Sequence, residues 1–170
     1  GLSVTPLQML VAVNAIANGG VMMQPRLVHQ IVDGDRIYES RPMPLGTTTI
    51  SQETARIVTD MMVDVVEIGL DEAARVPGYT IAGKTGTAEI GTPVGYETGA
   101  YIMSFVGFLP ADDPQVSIFI KLDRPQNGRW ASDVVAPIFS RMTSRLVYLL
   151  EIPNDETRLK LLAQNSGAGG

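Results

Sequence analysis

The fold of this chain is constrained most by the stretch at 82–89, which reads AGKTGTAE. In an extended strand, Lys84 and Gly86 point to one face of a sheet, and Thr85 and Thr87 point to the other. Gly86 has no β-carbon, so a ligand can approach the backbone closely there. A sheet edge of this kind offers N–H donors, hydroxyls and a cation. The stretch therefore predicts recognition of a carboxylate beside a reacting acyl group.

The same region also matches a different motif, the phosphate-binding loop. Residues 78–85 fit G-x-x-x-x-G-K-[ST] letter for letter. That motif requires a buried strand before the loop and a helix beginning at Lys84. The residues at 70–77 instead predict a helix or a turn, and the Gly and Thr that follow Lys84 disfavour a helix. A phosphate cradle also needs small residues, whereas the four inner residues are largely apolar and bulky. We therefore favour the strand and keep nucleotide binding as the lesser alternative.

Length and composition bound the class of protein. The chain has 170 residues, 45% hydrophobic and 18% charged, which fits about one packed domain or a piece of one. Its net charge of −5 and the lack of a Lys/Arg run argue against nucleic acid as a partner. Cysteine is absent and His29 is the one histidine, so we expect no disulfide, no metal site, no cofactor and no His-based triad. The sequence contains no apolar run of membrane-spanning length and no signal peptide.

Hydrophobic periodicity and turn residues divide the chain into helices and strands. Helices are predicted at 5–18, 51–67, 132–150 and 155–164, with a flexible tail at 165–170. Strands are predicted as a ribbon at 26–31 and 36–38, then at 82–89, 101–109 and 116–122, with a loop at 91–99. Because the last three strands are joined by short links, they form an antiparallel meander. The predicted fold class is α/β of the α+β type, an antiparallel sheet with flanking helices.

Several conspicuous side chains have ordinary structural interpretations. Thr5 is predicted to cap the first helix, and Gln8 to be a solvated or capping group. His29 is expected to be a surface or structural residue, and Trp130 to lie in a hydrophobic seam. Gly107 marks a place where another group packs close to its strand. The last long helix is predicted to lie across the sheet through a face of Val135, Phe139, Met142, Leu146 and Leu149.

Ordered blocks of the sequence resemble the transpeptidase domain of class B penicillin-binding proteins. The K-T-G element of serine acyl-transferring enzymes is matched by Lys84-Thr85-Gly86. Further blocks lie at 1–8, 17–20, 25–27, 77–79, 104–110, 113–114 and 135–139. The resemblance covers about residues 1–153. It implies the C-terminal portion of a transpeptidase (penicillin-binding) domain with a partial penicillin-binding/β-lactamase-like fold, followed at 154–170 by a short helix and flexible tail.

A transpeptidase of this family needs a serine followed three residues later by a lysine, and a Ser-x-Asn element. None of the serines in this chain meets either condition. The resemblance therefore implies that an upstream part of the same domain carries the nucleophile, and we expect this chain alone to be inactive. The parent is expected at the extracytoplasmic face of the bacterial cytoplasmic membrane, anchored through an N-terminal segment that is not in this chain. The blocks lean toward the cell-division members.

The resemblance also implies a reaction and roles for residues. The parent would be a peptidoglycan D,D-transpeptidase that acts on stem peptides ending in D-Ala-D-Ala and binds β-lactams. Lys84 would supply positive potential and help proton transfer, while Thr85 and Thr87 would bind the carboxylate beside Gly86. The Thr87 N–H would be one of two oxyanion-hole donors. Family members often carry Gln where this chain has Glu89, so we expect Glu89 either to face away or to weaken β-lactam capture.

Two other functions stay open. One is a catalytically inert fragment or binding module of the same fold. The family places two N-terminal strands beside the strand at 116–122, so without them a bare sheet edge predicts self-association or marginal stability. The other is a serine β-lactamase-type hydrolase, which also uses K-T-G, although the blocks at 5–8 and 104–108 resemble the transpeptidases.

Overall fold

The structure is a computed structural model that describes residues 3–46, 48–69, 71–126 and 130–167. The chain divides into two compact units, Gly1–Val58 and Thr59–Gly170. The beginning of the resemblance block at 1–8, the first residue of the predicted turn at 70–77 and the end of the predicted tail lie outside the described residues.

The first unit begins with helix α1, Pro6–Ala17. A capping box fixes its start: the Gln8 N–H donates to the Thr5 hydroxyl at 3.2 Å, and the Thr5 N–H donates to the Gln8 side chain at 2.8 Å. Pro6 occupies the first helical position, where a missing N–H costs nothing. Thr5 as the cap and Gln8 as a capping group are both confirmed.

A two-stranded antiparallel ribbon follows, made of β1, Gln30–Asp33, and β2, Arg36–Glu39. The loop between them has a φ of +57° at Gly34, a conformation that glycine adopts without strain. The ribbon is confirmed, although its first strand begins four residues later than the predicted start at 26. His29 is exposed, as expected.

Helix α2, Gln52–Glu67, crosses the boundary between the two units in sequence. The Ser51 hydroxyl accepts a hydrogen bond from the Thr54 N–H at 3.1 Å, which satisfies one free donor at the predicted start of the helix. Beyond the helix end, a β-carbon on Gly69 would lie 2.5 Å from the Val65 carbonyl oxygen. Glycine is therefore needed there because the backbone comes too close for any side chain.

The second unit is built on a three-stranded antiparallel sheet of β3, Ala82–Thr92, β4, Gly95–Leu109, and β5, Val116–Asp123. The strand order is β3-β4-β5, so β3 and β5 are the two edges of the sheet within the described ranges. The predicted meander is confirmed. So is the α+β fold class, an antiparallel sheet with flanking helices.

The predicted loop at 91–99 is wrong. β3 continues to Thr92 and β4 begins at Gly95, so the hairpin turns through only two residues. A shift of register between Glu89 and Gly91 separates these outer arms from the inner part of the hairpin. Nearly all side chains of the arms are exposed, so backbone pairing rather than burial holds them. A Gly- and Thr-rich composition is compatible with backbone pairing, but it is also typical of a loop, so the strands were not predicted from the sequence.

Helix α3, Ala131–Leu149, packs across one face of the sheet, as predicted. The Phe139 ring lies 4.4 Å from the Phe105 ring of β4, between centroids. A β-carbon on Gly107 would lie 2.9 Å from the Ala82 carbonyl oxygen and 3.2 Å from the Phe139 ring. The predicted close packing at Gly107 is therefore confirmed, and it lets helix and sheet approach each other.

The details of α3 differ from the prediction. Its buried stripe steps by four residues through Val135, Phe139, Thr143 and Val147, whereas Met142 and Leu149 are 45% and 72% exposed. Because Thr143 is polar, a search for apolar residues at helical spacing does not find it, although it is fully buried. Trp130 is 55% exposed at the N-cap position, so it does not fill a seam, and the helix begins one residue before the predicted start at 132.

Helix α4, Asp155–Gly167, confirms the predicted helix at 155–164 and extends it. The Asp155 carboxylate accepts hydrogen bonds from the N–H and the hydroxyl of Thr80, both at 2.7 Å. Arg158 donates to Asp112, in the turn between β4 and β5, at 2.6 Å. The start of α4 is thereby attached both to the segment that leads into β3 and to the far turn of the sheet.

Candidate active site on the edge strand β3

The stretch at 82–89 lies entirely within β3, paired antiparallel with β4 over its full length. No helix begins at Lys84, so the phosphate-loop interpretation is wrong. The segment before β3 forms a short 3-10 turn, Glu72–Ala74, in place of a buried strand. The prediction of a helix or turn there, and of a strand after it, is confirmed.

The register of β3 separates its side chains as predicted. Lys84 and Gly86 are opposite Val106 and Ser104, on the sheet face away from α3. Thr85 and Thr87 pair with Phe105 and Met103, on the face that α3 covers. The Lys84 side chain is 58% exposed. The two threonines and the lysine thus reach the open edge of β3 from opposite faces.

The backbone donors of this edge are oriented by the same register. The Thr85 N–H bonds a side chain outside the sheet at 3.0 Å, so it points away from β4. Since the pairing is regular through Glu89, the Thr87 N–H points to the same open side. A ligand beside β3 therefore meets the Thr87 N–H, a donor of the kind that an oxyanion requires, while the Thr85 N–H is already bonded within the protein.

The most important partner of this edge is Asp71, which lies in the segment predicted only as a helix or a turn. Its side chain is 1% exposed. It accepts hydrogen bonds from the Thr85 N–H and the Thr85 hydroxyl, both at 3.0 Å. The Lys84 Nζ lies 3.8 Å from the same carboxylate and donates to the Thr85 hydroxyl oxygen at 3.2 Å. Since 14 residues separate Asp71 from Thr85, no local spacing pattern could have revealed the pair.

The glycines around Lys84 make room for neighbouring side chains. A β-carbon on Gly83 would lie 2.5 Å from the Phe105 ring, so a side chain there would displace the core. A β-carbon on Gly86 would lie 2.8 Å from the Ser104 hydroxyl oxygen. The close approach observed at Gly86 is thus with Ser104 of β4, and access of a ligand to the Gly86 backbone stays a prediction.

The ion pair between Arg158 and Asp112 and the contacts of Asp155 at the start of α4 hold the segment that leads into β3. Hydrogen bonding to Arg158 holds the pKa of Asp112 below its usual value. Burial opposes the charge on Arg158, but hydrogen bonds to Asp112 and Asp155 outweigh that effect and raise the pKa of Arg158. Tyr79 adds a hydrogen bond from its hydroxyl to the Ile152 carbonyl at 2.7 Å. The two residues that precede Ile81 and β3 are therefore held by the chain around α4.

The described ranges contain no cluster of three or more His, Asp or Glu side chains that could hold a metal ion. Within the same ranges, no helix has the length and hydrophobicity that a membrane span needs.

Comparison with known proteins shows relatives along most of the chain. Residues 1–144 match the model of the penicillin-binding protein transpeptidase domain. Penicillin-binding protein PbpB of Mycolicibacterium smegmatis is 37% identical over 164 residues, which cover 90% of this chain and 25% of the relative. Stage V sporulation protein D of Bacillus subtilis is 35% identical over 141 residues, 81% of this chain and 22% of the relative. The chain therefore spans about a quarter of the length of these relatives.

Solved structures agree with the sequence relatives. Penicillin-binding protein 3 of Mycobacterium tuberculosis, solved with aztreonam, superposes with a TM-score of 0.79 at 35% identity, covering 91% of this chain and 37% of that chain. The transpeptidase domain of penicillin-binding protein 3 from Burkholderia pseudomallei gives 0.76 at 32% identity, covering 91% and 45%. The chain belongs to the penicillin-binding protein transpeptidase domain family.

Proposed function

We propose that this chain is the C-terminal portion of the transpeptidase domain of a peptidoglycan D,D-transpeptidase, and that it supplies the strand that binds substrate. The observation that carries the proposal is the open edge of β3, where Lys84, Thr85 and Thr87 stand beside outward N–H groups. Relatives named as peptidoglycan D,D-transpeptidases, such as PenA of Neisseria meningitidis at 30% identity, support the reaction class.

The proposed reaction is serine acyl transfer. A serine oxygen from the upstream part of the domain attacks the carbonyl between the last two D-Ala residues of a stem peptide. The amide bond breaks, the terminal D-Ala leaves with a proton on its amine, and an ester to the serine remains. An amine on a neighbouring peptidoglycan strand then attacks that ester. The new amide bond is the cross-link, and a proton of the amine passes to the released serine oxygen.

In this reaction β3 contributes charge and hydrogen bonds. Lys84 supplies positive potential and assists proton transfer around the serine. The Thr87 N–H donates to the developing oxyanion, a contact of a kind commonly worth about 3 kcal/mol in the transition state. The Thr87 hydroxyl binds the terminal carboxylate at Gly86, and such a charge-assisted bond contributes roughly 1.5–3 kcal/mol. The resemblance assigns the Thr85 hydroxyl to the same carboxylate, but in the structure this hydroxyl already donates a hydrogen bond to Asp71.

Labelling with a fluorescent penicillin tests the proposal. We expect the complete polypeptide, which includes the upstream part of the domain, to form a covalent adduct, and this chain alone to form none. Lys84→Ala in the complete polypeptide should slow acylation about a hundredfold or more, on the scale of a lost transition-state contact. Lys160→Ala on α4, which removes an exposed lysine paired with Glu156, is the matched control and should leave the rate within about twofold.

Either of two results would contradict the proposal. A complete polypeptide that fails to bind penicillin would remove the reaction class, and a covalent adduct on this chain alone would place the nucleophile within it. Rapid turnover of the penicillin, instead of a stable adduct, would favour the β-lactamase-type hydrolase.

The second candidate is a catalytically inert fragment or binding module. The absence of a Ser-x-x-Lys sequence from the chain and the open edge of β5 favour it for the chain in isolation.

The proposed partners are stem peptides, β-lactams and the upstream part of the same domain, with no nucleic acid. For the parent we propose the extracytoplasmic face of the cytoplasmic membrane, where a β-lactam that cannot cross the membrane should label it in intact cells.

A further inference from the structure

Asp71 is a buried carboxylate placed beside the proposed substrate strand. Its side chain is 1% exposed, and three donors surround it. The Thr85 N–H and the Thr85 hydroxyl lie 3.0 Å from its oxygens, and the Lys84 Nζ lies 3.8 Å away. These are the kinds of donor that the resemblance assigns to the carboxylate of the substrate. A carboxylate of the protein itself already occupies two of them.

The direction of the hydrogen bonds follows from counting protons. A threonine hydroxyl has one proton to give and two lone pairs to receive, a carboxylate only accepts, and an ammonium only donates. The Thr85 hydroxyl lies 3.0 Å from both oxygens of the Asp71 carboxylate, so it donates its proton into a hydrogen bond with Asp71. The contact between Lys84 and the Thr85 hydroxyl, at 3.2 Å, is then a donation from Lys84. A chain of hydrogen bonds runs from Lys84 through Thr85 to Asp71.

We infer that Asp71 is a positioning residue: it accepts the hydrogen bond of the Thr85 hydroxyl, so that the Thr85 oxygen orients Lys84 and does not bind the substrate's carboxylate. The inference rests on the proposed function and deepens it, because it assigns a different role to each of the two threonines. Thr85 places the cation, and Thr87, which is exposed on the same strand, is the hydroxyl that receives the carboxylate.

Two further features favour this division. The Thr85 hydroxyl has no second proton, so a substrate carboxylate at Thr85 would meet an oxygen lone pair and the nearby charge of Asp71. The buried position of Asp71, at 1% exposure, also removes it from competition by water, so the bond to Thr85 persists while substrate comes and goes. Thr87 is two residues further along the same edge.

The test compares a penicillin with the methyl ester of its carboxylate in the complete polypeptide. The rate constant of acylation is measured for both compounds, and their ratio reports binding of the carboxylate alone. We expect Thr87→Val to lower this ratio about tenfold or more, the loss of one charge-assisted hydrogen bond. Thr85→Val should lower both rates, about tenfold each, and leave the ratio unchanged, because Thr85 acts only through Lys84.

Asp71 is tested in the same assay. Asp71→Leu keeps much of the volume but removes both acceptor oxygens, and it should reproduce Thr85→Val, with both rates lower and the ratio unchanged. The double variant should be no slower than either single one, since both act through one chain of hydrogen bonds. Glu72→Gln is the matched control: it removes a charge from the neighbouring residue, which is exposed and 3.6 Å from Arg75, and should change neither rate more than about twofold.

The inference is overturned if Thr85→Val lowers the acid-to-ester ratio as Thr87→Val does, or if Asp71→Leu behaves like the Glu72 control. Its geometric part has a test that needs no acylation. In Asp71→Ala, the Thr85 amide should exchange with solvent deuterium about tenfold faster or more, while the Phe105 amide, which pairs inside the sheet, stays protected. Unchanged exchange at Thr85 would refute the role of Asp71 even if the polypeptide never reacts with penicillin.

Discussion

Three charged residues set the electrostatic character of the open edge of β3. Lys84 carries a positive charge that would attract an anionic ligand, and Asp71 partly offsets it from a buried position 3.8 Å away. Glu89 is an exposed anion on the same strand and shares the sheet face of Thr87. The register therefore contradicts the alternative that Glu89 faces away from Thr87. What remains is the prediction that its charge weakens the capture of anionic ligands.

Replacing Glu89 tests that effect at the scale of one residue. Residues two apart on a strand are separated by about 7 Å, and two unit charges at that distance in water repel by roughly 0.6 kcal/mol. We expect Glu89→Gln in the complete polypeptide to speed acylation by penicillin about threefold at low salt, with a smaller gain at high salt. The methyl ester should show no gain. Equal rates for the two proteins with penicillin at low salt would argue against the prediction.

At the scale of elements, β3 is aligned by contacts that come from distant parts of the chain. Asp71 holds its middle, while Asp155 and Tyr79 hold the residues before it. The ion pair between Arg158 and Asp112 then attaches α4 to the turn that follows β4. The Arg158 side chain is 9% exposed and Asp112 is 55% exposed, so solvent screens the pair in part.

The pH dependence of stability reports this ion pair. Because the pKa of Asp112 is lowered in the folded state, its contribution is complete above the unfolded-state pKa of about 3.9 and is lost as the pH falls through the folded value. Asp112→Asn should lower the free energy of unfolding by about 1 kcal/mol or less at pH 7, and by less still near pH 3. Urea unfolding at both pH values measures the difference between variant and wild type.

Asp113→Asn is the control for that measurement, since it changes the neighbouring exposed acid, for which no ion pair is seen in the described structure. A deficit for Asp112→Asn that is the same at both pH values, or that Asp113→Asn reproduces, would show that the ion pair is not the cause.

Most elements could be predicted because their signals are local. The Thr5 cap, the turn at Gly34 and the alternation along 82–89 each depend on residues within a few positions. The outer arms of the β3–β4 hairpin were missed because backbone pairing holds them and their composition is that of a loop. The buried stripe of α3 was partly missed because Thr143, a polar residue, is fully buried on it.

The candidate site divides in the same way. Lys84, Thr85, Gly86 and Thr87 form a motif that can be read from the sequence, whereas Asp71 reaches Thr85 across a turn and a buried segment. Its position depends on how the 3-10 turn Glu72–Ala74 packs against α3. Such packing is a property of the folded chain, and no spacing rule in the sequence encodes it.

At the scale of the whole molecule, the three-stranded sheet has a second open edge, β5, within the described residues. β5 pairs with β4 on one side and has no other strand beside it in the part of the chain that the structure describes. Its residue Phe119 is opposite Val106, on the sheet face that α3 does not cover. Strand edges of this kind pair readily with other chains. The resemblance to the family implies that two strands from the upstream part of the domain lie beside β5.

We therefore predict that this chain in isolation forms dimers through β5 or is only marginally stable, and that the complete polypeptide does not share this behaviour. Sedimentation at micromolar concentration measures the association. Phe119→Lys, a charge on the edge strand, should shift the chain toward monomer because the lysines would meet across the paired edges. Tyr148→Lys, at an 83% exposed position of α3, is the matched control and should leave the association unchanged. A wild-type chain that sediments as a stable monomer would contradict the prediction, and it would mean that the β5 edge is protected without the upstream strands.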